Sequence, residues 1–229
     1  MPFSINVIYL LILIAIAICF IVILNAMQKF VLKHLSVTLF QQNAPELYQE
    51  MLKSKRLRLV LRRSTLTLLE LEGYYYIRDE DRAQQTATIL ENMKLSSSEQ
   101  FTFYQKALCF SVSLGKVNDS TEYLQKLENL LKNQTNPKFI AILEDARLLV
   151  GVYINKDVSL LPELERLEKQ QTGTQKGLTQ YRMAKLYYYK GDVERTVAIL
   201  KQSERNLEGT VWYPLVQQAL VDNSELEVK

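Results

Sequence analysis

A chain of 229 residues, 48% of them hydrophobic and with only seven glycines and five prolines, holds enough apolar side chain for one folded domain plus an appendage, which excludes a disordered or fibrous polymer. A net charge of +3 is too small to point to nucleic acid. The two cysteines, Cys19 and Cys109, lack the spacing of a disulfide framework or a metal cluster. The charge is unevenly spread: residues 46–63 carry six Lys or Arg against two Glu, while residues 64–229 are net acidic.

The first element is the run 7–24, VIYLLILIAIAICFIVIL, which has no charged residue. A helix over residues 1–27 is long enough to cross a hydrocarbon core of about 30 Å, so this segment is expected to be a transmembrane anchor. A cleaved signal peptide fits less well, because residues 1–6 contain no Lys or Arg and no small-residue cleavage site follows the run. All the early positive charge (Lys29, Lys33, then Lys53 to Arg63) follows the apolar run, which predicts a cell-membrane protein with its N-terminus outside and its C-terminal domain cytoplasmic. In that compartment the sequons at Asn118 and Asn133 are chance matches.

Residues 28–45 read as a juxtamembrane amphipathic connector, either prolonging the anchor helix or lying in the interface. The one histidine, His34, falls here beside lysines and is expected to be solvated. In the run 53–63, Leu57, Val60, Leu61 and Ser64 share one helical face, and the basic residues Lys53, Lys55, Arg56, Arg58, Arg62 and Arg63 are left for solvent or for anionic lipid.

Residues 46–222 then alternate between helices and short turns. A helix closes with Glu70, Leu71, Glu72, Gly73 and three tyrosines, and the acidic residues from Asp79 open the next, which packs through Ala83, Ala87 and Leu90. Helices 98–114 and 119–132 meet at Gly115, with Ser120, Leu124 and Leu127 inward. Pro137 opens a third pair, in which Ala146 and Tyr153 lie on one helix and Leu160, Leu164 and Leu167 on the other. Residues 173–177, GTQKG, lack both the spacing and the preceding strand of a phosphate loop and read as a linker. The clearest pair follows, YRMAKLYYYKGD and then VERTVAILKQSE. A terminal helix at 212–222 and a frayed tail at 223–229 complete the order.

In that last pair Ala184, Tyr187, Gly191, Thr196, Leu200 and Ser203 stand at the small, aromatic and turn positions of the tetratricopeptide repeat, and the region 57–205 resembles that family. The resemblance implies a right-handed helical-hairpin solenoid of about four repeats, which with the N-terminal transmembrane helix makes an all-α protein. Gln180 stands where the family has a large aromatic, and a generic paired-helix solenoid is the alternative. The resemblance further implies that first-helix residues line a partner-binding groove, here Glu72, Tyr75, Tyr76, Gln105, Cys109, Tyr181, Lys185, Tyr188 and Tyr189.

No catalytic constellation is legible, since a single histidine next to the membrane leaves Cys109 or any serine without a base. The expectation is therefore a non-enzymatic, cofactor-free and metal-free membrane-anchored scaffold that recruits a protein partner through the concave face of the array. The alternative is an accessory single-pass subunit of a larger membrane complex, assembled through its transmembrane helix.

Overall fold

The computed structural model describes residues 5–227, so residues 1–4 of the expected anchor and 228–229 of the expected tail lie outside the described residues. Among those described there are twelve α-helices and no strand. The chain divides into two units, residues 1–100 and 101–229.

In the first unit α1 (Ile5–Ser36) is a single helix, and its first part is bare: Ile12, Leu13, Ile16, Phe20 and Ile23 are all exposed. The stretch Ile12–Gln41 is long and apolar enough to span a membrane. Cover begins where the apolar run ends. The Gln28 side-chain amide donates to the Val60 carbonyl at 2.8 Å, and from Val31 onward α1 packs into a core made by Leu35, Leu39, Tyr48, Leu52, Leu57, Leu61 and Leu66. Residues 28–36 therefore continue the helix. A π-helical turn (Val37–Gln41) stops it, with Leu39 fully buried, and Asn43 at a positive φ of 51° turns the chain into α2 (Pro45–Leu52).

The run 53–63 is not one helix. Ser54 caps α3 (Lys55–Val60), Leu61 is extended, and α4 (Arg63–Tyr76) begins afresh, yet Leu57, Leu61 and Ser64 all turn inward and the six basic residues stay exposed. The helix α2 lies hard against α4 at Gly73, where an added Cβ would stand 2.9 Å from the Tyr48 ring. The hydroxyl of Tyr48 donates to the Leu69 carbonyl at 2.8 Å. Then α4 turns back into α5 (Glu80–Glu91), and α6 (Ser97–Ser113) crosses the division between units.

The second unit is built on shared helices. One core joins α6, α7 (Val117–Leu131) and α8 (Pro137–Tyr153) through Leu108, Val112, Leu127, Ala146 and Val150. The next joins α8 to α9 (Leu161–Gln170) and α10 (Gly173–Tyr189) through Leu148, Val152, Leu164, Met183 and Leu186. The last joins α10 to α11 (Val193–Leu207) and α12 (Tyr213–Val221) through Ala184, Leu200, Leu207, Val216 and Ala219.

Three hairpin turns share one hydrogen-bond pattern. Arg78, Gly115 and Gly191 sit at positive φ (56°, 67° and 80°), and the amides of Asp79, Lys116 and Asp192 reach back to the carbonyls of Tyr74, Ser111 and Tyr187 at 2.9–3.0 Å. The first and last turns also match in side chains. Asp79 and Asp192 each accept from the amide three residues on at 3.1 Å, and the arginine there (Arg82, Arg195) ion-pairs with its aspartate and lies 5.9 or 5.5 Å over a tyrosine ring (Tyr74, Tyr187).

Two sequence expectations need correction. Residues 173–177 are the start of α10, not a linker: Gly177 is the point of closest approach to α11, where a Cβ would come within 2.6 Å of Leu207, and its carbonyl accepts from the buried Ser203 hydroxyl at 2.8 Å. The tail is not frayed at its start. Asn223–Leu226 form a 3-10 turn, because Leu226 is fully buried among Tyr181, Ala184 and Val216.

Truncating Leu39 to alanine removes a fully buried side chain shared by the long helix and the first unit, and is expected to cost about 2–5 kcal/mol. Thermal melts of the detergent-solubilised protein should show that loss, whereas Ile18→Ala, on the bare segment, should leave the melting temperature unchanged.

Candidate functional site

In the second unit the first helices of successive hairpins, α6, α8 and α10, bring a strip of polar and aromatic side chains together. Cys109 of α6 is exposed, and its thiol is held above its ordinary pKa by desolvation and by Asp145 of α8. Asp145 forms an ion pair with Arg182 of α10 at 2.6 Å. Burial raises the Tyr153 pKa, and the Arg182 charge also acts on this tyrosine, opposing that upward shift. The strip thus runs from Cys109 through Asp145 and Arg182 to Tyr153.

Beyond Tyr153 lies Lys185, only 3% exposed. Its ammonium sits 4.9, 5.9 and 6.0 Å from the ring centroids of Tyr153, Tyr189 and Tyr181, an arrangement in which each ring face attracts the cation. It donates to the Leu226 carbonyl. The Tyr189 hydroxyl donates to the same carbonyl at 3.2 Å, and the Tyr188 hydroxyl donates to Glu227 Oε1 at 3.5 Å. Burial, and then the nearby Lys156 charge, pull Lys185 down to about 8, against a smaller opposing pull from Glu227.

The expected groove residues therefore divide. Cys109 is exposed and Gln105 half-buried on α6. Tyr181 and Lys185 are buried and Tyr188 and Tyr189 partly so, and Lys185, Tyr188 and Tyr189 all bond the chain's own residues 226–227. In the first unit Glu72 and Tyr75 are half-buried on α4, and Tyr76 is engaged locally: its hydroxyl donates to Asn43 Oδ1 at 2.7 Å and its ring meets Phe40 edge-on at 5.5 Å. Sequence reasoning missed Asp145, Arg182 and Tyr153 as a group. Arg182 stands three residues before Lys185 and seven before Tyr189, so the helical period would have set it on their face; nothing local to Asp145 marks it in the same way.

Gln180, where the repeat resemblance calls for an aromatic, is 1% exposed and bonded on both ends of its amide. It donates to Glu168 Oε1 at 2.8 Å and accepts from Asn206 at 2.9 Å, linking α9, α10 and α11. In the comparisons with known proteins, the chain matches no family model, no curated protein and no solved structure.

Because Lys185 has a depressed pKa in the folded state, folding is penalised while the ammonium is charged, and the penalty fades as pH rises through about 8 toward the unfolded value near 10.5. The raised pKa values of Cys109 and the tyrosines act in the other direction, the thiol only above about pH 9 and the tyrosines only above about pH 10. The melting temperature is therefore expected to climb between pH 7.5 and 9 in the native protein and not to climb over that range in Lys185→Met.

Proposed function

We propose that this chain is a single-pass membrane scaffold that recruits a protein partner. In this reading α1 crosses the cell membrane with its N-terminus outside, and the hairpins form a cytoplasmic, tetratricopeptide-like right-handed stack that offers its first-helix face to the partner. The observation that carries it is the Cys109–Asp145–Arg182–Tyr153 strip, contributed by three consecutive first helices. Tyrosine and arginine on such a surface combine large contact area with hydrogen bonding at modest entropic cost. The shared cores and the repeated turn geometry support the stacked arrangement.

Coupling a bulky maleimide to Cys109 in detergent extracts should lower recovery of the co-purifying partner at least tenfold, and Cys109→Ser should restore it. Unchanged recovery would remove the face from consideration. Replacing residues 10–23 with another apolar sequence should leave recovery intact, and a loss there would favour the accessory-subunit alternative, assembled by lateral helix pairing.

The join between α1 and the first unit supports a second role for that unit. From Ile5 to Met27 the helix rises about 33 Å at 1.5 Å per residue, close to the roughly 30 Å of a hydrocarbon core. The Gln28–Val60 hydrogen bond then clips α3 to the helix directly above that level. Lys53, Lys55, Arg56, Arg58, Arg62 and Arg63 thereby form an exposed collar at headgroup depth, with Leu59, 85% exposed, among them. Each such charge near an anionic surface contributes about 1 kcal/mol. In nanodiscs containing phosphatidylglycerol, native mass spectrometry should find anionic lipid retained by the native protein and lost from the Arg56, Arg58, Arg62, Arg63→Gln variant. Equal retention would rule the collar out.

A further inference from the structure

The face of α10 is already occupied by the end of this chain, and the chemistry of that contact describes a ligand. Lys185, Tyr188 and Tyr189 lie within one and a half turns of one helix, and all three donate to residues 226–227. The Leu226 side chain fills the apolar space between α10, α11 and α12. What is read is short: one leucine side chain, its backbone carbonyl and one following carboxylate. The surroundings are cationic, with Lys185 buried and the Lys156 ammonium 4.8 Å over the Tyr189 ring, and the occupant is acidic, with Asp222, Glu225 and Glu227 flanking the leucine. Its backbone is a four-residue 3-10 turn separate from α12, with the Ser224 amide donating to Asp222 Oδ1 at 2.9 Å, so its release breaks no α-helix.

We infer that the pocket closed by Lys185, Tyr188 and Tyr189 is a peptide-binding site for a leucine flanked by carboxylates, and that residues 224–227 fill it as a resident ligand displaced by the same motif on a partner protein. The inference rests on the proposed partner-binding role of the first-helix face and names its chemistry. A tethered occupant competes at an effective concentration set by its short linker, in the millimolar range, so the site answers only to a partner that binds through additional contacts along the strip or is itself locally concentrated at the membrane. Lys185 reads the carbonyl, the α10–α12 space reads the leucine, and Lys156 with the Tyr188 hydroxyl reads the acidic flank.

The probe is a fluorescent synthetic peptide with the sequence of residues 221–229, VDNSELEVK, titrated by anisotropy against the full chain in detergent micelles. Two variants open the site, a chain ending at Asn223 and a full-length Leu226→Asp. Both should bind the peptide saturably and at least tenfold more tightly than the native chain, and adding Lys185→Met to either should abolish binding. A peptide with its leucine replaced by aspartate should not bind. The proposal is overturned if the opened variants keep their helical circular dichroism and ignore the peptide, or if the native chain binds it equally well. It is also overturned if neither variant keeps its helical signal, since residues 224–227 are then an indispensable part of the last hairpin. The scaffold reading is judged separately by the Cys109 maleimide experiment, so a partner lost on modification together with a silent peptide would sink this inference alone.

Discussion

Leu35 and Leu39 end an apolar helix and at the same time complete the core of a folded unit, and nearly everything else about the first hundred residues follows from that double membership. A helix joined to a domain through a flexible linker lets that domain tumble; one whose next turn is buried under α2, α3 and α4 does not. With Gln28 bonded to α3 and Val31 and Leu32 packed against the core, no loose segment separates the bare part of α1 from the covered part. The first unit is then held against α1, and the basic residues of α3 and the following turn stand at one defined position along the helix axis rather than sampling many.

The second unit solves a different problem. A lone helical hairpin buries only one side of each helix, and α8 and α10 each contribute to two successive cores, so no pair is stable without its neighbour. Close approach is obtained with small residues and bonded hydroxyls. Gly177 lets α10 touch Leu207, and Ser203 and Ser120 donate within the buried contacts, the latter to Ser111 at 3.0 Å, so that close packing leaves no orphaned polar atom there. The outward edges of the shared helices are left to carry Cys109, Asp145 and Arg182.

Sequence periodicity made the helical class and the apolar N-terminal helix legible, because both depend on local pattern: a charge-free run of helix length, and leucines at i, i+3 and i+4 between turn residues. The turns at Gly115 and Gly191 announced themselves by residue type, but Arg78 and Lys156 adopt the same left-handed conformation without a glycine to betray it. Residues 173–177 misled for the opposite reason: two glycines suggested a linker where one of them is a packing contact, a fact that depends on Leu207 thirty residues away. The tail was hidden in the same manner. Nothing local to an acidic five-residue segment says that its single leucine completes a core built by α10, α11 and α12.

Lys185 shows why that hidden contact matters. At a site needing only volume, a methionine would pack among Tyr153, Tyr181 and Tyr189 without the desolvation that a buried ammonium suffers. The three ring faces offset part of that cost, and the Leu226 carbonyl supplies a hydrogen bond to the charge. Remove the tail and the ammonium keeps its tyrosines but loses that acceptor. A lysine so placed makes the emptied pocket selective for whatever next brings a carbonyl and a negative charge to it. The polarity that is a liability for stability is thus the source of discrimination at the face.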